Sequence, residues 1–191
     1  TQSGTIALGT LPGSITDPTK VAVKQDDHNV YIVNSFGATL SVWDGGTGHN
    51  NGQVDGGDGI WDVTNDNWTD PDGNMVGSWH NGDYAVFGGT GGKVSVDDGQ
   101  GAVSASGMQF AVGGYEITGA ELKLVDMQNN VASTIRVGVG NADDKDLTAT
   151  ISAGLTNIVG AHGMNKTGDG TLILSGTNTY NGGTTISGGV L

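Results

Sequence analysis

Apolar stretches recur along this chain, each a few residues long and each broken by Gly, Asn, Asp or Thr, so that no stretch can bury a face by itself. Within them apolar and polar residues alternate with period two, the signature of strands. From residue 93 the pattern predicts strands at 93–96, 101–104, 115–117, 121–125, 134–139, 148–151, 172–174 and 184–186. Earlier candidates fall at 5–8, 21–23, 30–33 and 39–43, separated by turn signals such as Pro12-Gly13 and Asp26-Asp27. About three strands per coil, at an uneven period of roughly 20 to 26 residues, describe a solenoid in which each coil needs a similar coil above and below it. Val94, Val96, Leu122, Leu124, Ile135, Val137, Ile151, Leu172, Leu174 and Ile186 are predicted to form its stacked inward columns, with Ile173 on the opposite face of its strand. Tyr115 and Tyr180 each follow a turn and are expected to pack near a coil corner.

The clearest version of the pattern is 166–191, KTGDGTLILSGTNTYNGGTTISGGVL, where Gly176, Asn178, Gly182, Gly183, Gly188 and Gly189 can supply positive-φ corners. Its GTLILSGTNTYNGGTTISGGVL portion resembles the passenger-associated transport repeat, a Gly-x-Gly-Thr-Leu-x-Leu-Ser-Gly segment followed by Asn-Thr-Tyr-x-Gly-Gly-Thr-Thr-Ile and Gly-Gly-x-Leu. That repeat occurs in the passenger domains of autotransporters, the type V secreted proteins of Gram-negative bacteria. Residues 61–125, with Trp61, Trp68, Trp79, the AVFGG at 85–89 and the segments 93–96 and 114–119, are similar to the β-strand repeats that precede it in such passengers. The resemblance implies an all-β fold, a right-handed parallel β-helix. It also implies display on the cell surface, anchored or secreted, after a C-terminal outer-membrane β-barrel has carried the passenger across. With no signal peptide at Thr1, no set of barrel strands and a final Val190-Leu191 in mid-pattern, the chain is expected to be a fragment of a longer passenger. Residues 1–191 are read as one unit: 1–43 as a cap or early coils, 44–92 as an Asp/Trp-rich loop region, and 93–191 as regular coils ending in the repeat.

Composition supports strands and turns. Of 191 residues 36 are glycine and 3 proline, and Glu116 and Glu121 are the two glutamates, so strong helix formers are scarce. The chain has no cysteine, which excludes disulfides, thiol nucleophiles and thiolate metal sites. A formal charge of −13, with Arg136 the single arginine, argues against nucleic acid and polyanionic partners, which need clustered cations.

Two features carry candidate chemistry. Between Asp44 and Asn74, Asp55, Asp58, Asp62, Asp66, Asp70 and Asp72 could gather oxygen ligands for Ca²⁺. The Gly45-Gly46-Thr47-Gly48-His49-Asn50 run approximates half a calcium-binding nonapeptide, but Gly52 stands where an apolar residue belongs, and no EF-hand spacing occurs. The plainer reading is a solvated loop whose Asp and Asn side chains bond their own backbone; on that reading no cofactor is expected. Trp61, Trp68 and Trp79, with Trp43, would form a sugar- or protein-binding platform if exposed, and core packing if buried.

Catalysis needs convergent groups that the sequence does not align. Asp97-Asp98, Asp143-Asp144 and Asp126 could pair across coils as in a glycosidase, and as turn residues they equally face water. His28, His49, His80 and His162 share no ligand spacing, and neither a Gly-x-Ser-x-Gly elbow nor a Gly-Asp-Ser-Gly peptidase pattern occurs. The expectation is therefore a non-enzymatic surface adhesin that binds a host-surface or matrix protein or glycan, or an identical helix. The alternatives are a polysaccharide-active β-helix enzyme and a stalk or folding segment.

Overall fold

A computed structural model describes residues 21–25, 30–34, 39–46, 51–125, 132–158 and 163–191, and side chains from residue 39 onward. The expected strand at 5–8 lies outside the described residues. Strands β1 (Val21–Gln25) and β2 (Val30–Asn34) form an antiparallel pair. The remaining strands are β3 (Leu40–Trp43), β4 (Gly59–Trp61), β5 (Trp68–Thr69), β6 (Tyr84–Phe87), β7 (Lys93–Val96), β8 (Val103–Ala105), β9 (Gly107–Phe110), β10 (Tyr115–Gly119), β11 (Leu122–Leu124), β12 (Ser133–Val137), β13 (Thr148–Ile151), β14 (Leu155–Asn157), β15 (Met164–Thr167), β16 (Thr171–Leu174) and β17 (Thr184–Ile186).

These strands build three sheets. The first has the order β4-β7-β10-β13-β16, the second β8-β11-β14, and the third β3-β6-β9-β12-β15-β17 with β5 outside β3. Every pairing among them is parallel except β3 with β5. From β7 to β16 the chain visits the first, second and third sheets in turn and then begins again one layer further along, which makes it a parallel β-helix. Extra residues are taken up at corners, such as the 3₁₀ turn Asp144–Asp146, and the strand registers continue through them.

Stacking explains the core. Val94, Ile117, Ile151 and Leu174 are successive register partners, as are Phe110 and Val137 beyond Phe87. Eight of the ten expected inward residues, Val94, Val96, Leu122, Leu124, Ile135, Val137, Ile151 and Leu172, are fully buried, each contributing about 1.5–3 kcal/mol. Leu174 is half-buried against the same core. Ile186 corrects the expectation: it is 53% exposed, because it continues the inward column past Lys166 and no described strand stacks on it. Tyr115 packs at a corner as expected: it opens β10 directly after the bend at 111–113, is buried, and donates from its hydroxyl to the carbonyl of Gly88, just past the end of β6, at 2.6 Å.

The second sheet is closed at both edges by asparagine side chains. Asn81 donates from Nδ2 to the Ala102 carbonyl at 2.9 Å and accepts the Ser104 N–H at 2.8 Å, as a neighbouring strand would do for β8. At the other edge Asn178 Oδ1 accepts the Leu155 N–H at 3.0 Å, while the Thr179 N–H bonds the Leu155 carbonyl at 2.8 Å. In the third sheet the antiparallel β5 covers the outer edge of β3. Unpaired edges invite other strands, and these contacts cover three of them, while the outer edge of β17 stays uncovered among the described residues.

Candidate interaction surface

The tryptophans come together, but inside the molecule. Trp61 is fully buried and Trp68 and Trp79 nearly so, with ring centroids 5.0 Å apart for Trp61–Trp68, 4.9 Å for Trp61–Trp79 and 4.4 Å for Trp68–Trp79. Trp43 and Phe87 extend the cluster, and Phe87 stacks on Phe110 at 4.9 Å. The exposed platform considered for Trp61, Trp68 and Trp79 is therefore corrected: the rings fill the coils at this end, where wide side chains replace the narrower Val, Ile and Leu columns further along. Trp43 and Trp79 satisfy their indole N–H groups on the Gly57 and Ser104 carbonyls, at 2.8 Å and 3.0 Å.

The acidic residues do not converge. Asp62 Oδ1 accepts the N–H groups of Thr64 and Asn65, and Asp70 Oδ1 those of Asn74 and Met75. Asp58 accepts the Lys93 N–H at 2.6 Å and Asp55 accepts from Asn51 Nδ2 at 2.8 Å, while Asp66 and Asp72 are exposed. Among the described residues no three His, Cys, Asp or Glu side chains gather as metal ligands. Each of these bonded carboxylates holds its own turn or a neighbouring strand.

Two of the candidate catalytic acids are also bonded locally, and Asp98 and Asp143 are exposed. Asp97 accepts the Gly99 N–H, and the fully buried Asp144 collects those of Val139, Gly140 and Asn141 on one oxygen. Asp126, His28, His49 and His162 lie outside the described residues. His80 is exposed, 4.0 Å from Asp83. Burial raises the Asp83 carboxyl above its ordinary value, opposed by the hydrogen bond from Ser41 and by the His80 charge.

A continuous surface is found on the outer face of the first sheet. Its outward residues form columns: Ile60, Ser95 and Thr118 in one, and Lys93, Glu116, Thr150 and Ile173 in the next. A third pairs Thr148 with Thr171. Columns in a sheet repeat at about 4.8 Å, so this is a flat, hydroxyl-rich array five strands long. Ile60 and Ile173, 44% and 45% exposed, stand on its first and last strands.

The last coil contains Lys166 in an inward position, fully buried, between Ile135 and Ile186 in register. Its Nζ donates to the carbonyls of Thr167, Gly168 and Gly188 at 2.9, 2.8 and 3.0 Å, using all three of its protons. Burial lowers its pKa below the ordinary lysine value, with Asp169 opposing and Arg136 adding to the shift. Residues 164–191, which are this coil, match the family model of the passenger-associated-transport-repeat. Over 198 aligned residues the chain is 44% identical to the Adhesin BmaC autotransporter of Brucella suis biovar 1 (strain 1330), an alignment that covers 99% of this chain. The chain is similar to autotransporter passenger sequence. It spans 6% of the length of that curated relative, and no solved structure matches it. The repeat places β15, β16 and β17 on the preceding coil and supplies Asn178 and Thr179 to the edge of β14, so in this chain its residues act by stacking. The flat face was not read from the sequence, because its columns join residues at unequal separations.

Proposed function

We propose that this passenger segment is a non-enzymatic adhesive module, displayed at the surface of a Gram-negative cell and held through a β-barrel elsewhere in its parent chain. It would bind a host-surface or matrix protein or glycan, or another copy of itself. The observation that carries this reading is 44% identity, along 99% of the chain, to a protein named an adhesin. The exposed array on the first sheet supports it, since a flat face offers many shallow contacts and no enclosed reaction site. Polysaccharide cleavage is the competing reading; of the acids it would use, Asp97 and Asp144 accept backbone N–H groups of their own turns.

Beads coated with the 191-residue chain test the proposal on cultured cells, immobilised matrix proteins and glycans, with a parallel incubation of the soluble chain with polysaccharides. Saturable attachment without release of reducing ends is expected. Release of reducing ends, or attachment no better than that of albumin-coated beads, would reject it.

A further inference from the structure

An asparagine followed by glycine is a labile amide, because glycine has no Cβ to keep its backbone nitrogen from the side-chain carbonyl carbon before it. Hydroxide takes the proton from that nitrogen, which attacks Cγ; the N–Cγ bond forms, the Cγ–Nδ2 bond breaks, and ammonia leaves with a proton from water. Water then opens the cyclic imide to aspartate or isoaspartate. The chain holds three such pairs, Asn51-Gly52, Asn81-Gly82 and Asn181-Gly182, and all three asparagines are exposed. In each, Oδ1 accepts a hydrogen bond, from the Gln53 N–H, the Ser104 N–H and Asn157 Nδ2 respectively, so the carbon under attack is alike in all three. The nucleophile and the leaving group are not.

The Gly52 N–H donates to the Gly73 carbonyl at 3.2 Å, and Asn51 Nδ2 to Asp55 Oδ2 at 2.8 Å. The Gly82 N–H donates to the Ser104 carbonyl at 3.0 Å, and Asn81 Nδ2 to the Ala102 carbonyl at 2.9 Å. At Asn181-Gly182 neither group has a hydrogen-bond partner among the described residues. We propose that Asn181 is a site of spontaneous covalent modification in the folded chain, converting to isoaspartate while Asn51 and Asn81 are preserved. Reaction at either of those must first break two hydrogen bonds, which slows it by about tenfold or more. Asn181 lies in the corner between β16 and β17. Isoaspartate carries the main chain through the side-chain carbons and so lengthens it just before Gly183, whose carbonyl accepts the Met164 N–H at 3.0 Å, and Thr184, the register partner of Met164. Conversion therefore loosens β17 from β15.

The test is to age the 191-residue chain in mildly alkaline buffer, folded and in guanidinium chloride, and to follow all three asparagines by peptide mass spectrometry with chromatographic separation of the isoaspartyl forms. In the folded chain Asn181 is expected to convert about tenfold faster than Asn51 or Asn81, and faster still as pH rises. In guanidinium chloride the three rates are expected to converge. Equal rates in the folded chain, an Asn181 that stays intact there, or the same ranking in guanidinium chloride would each overturn the proposal. Hydrogen exchange on converted chain, separated from the rest on an anion exchanger by its added charge, reads the consequence. The amides of Thr185 and Ile186 are expected to exchange faster than in unaged chain, and unchanged exchange would overturn the loosening of β17.

Discussion

Lys166 shows how one residue can break the apolar rule and still belong to the core. Its stem continues the column of Ala85, Met108 and Ile135, while its ammonium ties the ends of β15 and β17 through three carbonyls. Lys166→Met keeps the stem and leaves those carbonyls unpaired, and is expected to cost about 1–3 kcal/mol in urea unfolding; unchanged stability would contradict the assigned role. Because a lysine stands where the pattern demands an apolar residue, 164–167 is not readable as a strand from sequence. Asp83 gives a pH prediction. Its folded carboxyl binds a proton more tightly than the unfolded one, so its contribution is full below the unfolded value of 3.8 and is lost as pH rises through the raised folded value. Asp83→Asn keeps an acceptor for Ser41 and removes the charge. Its melting temperature should exceed that of wild type at pH 7 and converge with it toward pH 4, and parallel pH profiles would contradict this.

At the scale of elements, strands with clean alternation and no competing signal were legible, as for β7, β10, β13 and β16. Others were hidden for specific reasons. β9 carries Gly107 and Gln109, of which Gly107 makes room for the Tyr84 ring and Gln109 bonds the Gly138 carbonyl. β4 and β5 lie within an Asp- and Gly-rich stretch that reads as loop, yet Trp61 and Trp68 hold them in the aromatic cluster. Phe87 links that cluster to Phe110 and Tyr115, and Phe87→Ala is expected to lose about 3–5 kcal/mol. A loss below about 1 kcal/mol in equilibrium unfolding would mean that the rings are not packed in this way. The asparagine edges are further apart, so Asn81→Ala and Asn178→Ala should each destabilise by about 1–3 kcal/mol and add in the double variant. Sub-additive losses would show that the two edges are not independent.

Across the whole molecule, the solenoid follows from apolar runs too short to be buried alone, which is why its class could be read from sequence while its surface could not. Which outward residues share a column depends on corner lengths, and these vary from coil to coil, as the steps from Lys93 to Glu116 to Thr150 to Ile173 show. The charged and aromatic stretch drew attention as a site, whereas its side chains close turns and fill the core. What remains exposed is a long regular face, suited to contacts that are individually weak and collectively strong. The most direct test of the adhesive account is to display the chain, fused to an outer-membrane barrel, on a Gram-negative cell that does not adhere. Cells bearing it are expected to attach to host monolayers or to one another in proportion to the number of copies displayed; attachment equal to that of cells displaying the barrel alone would contradict the account.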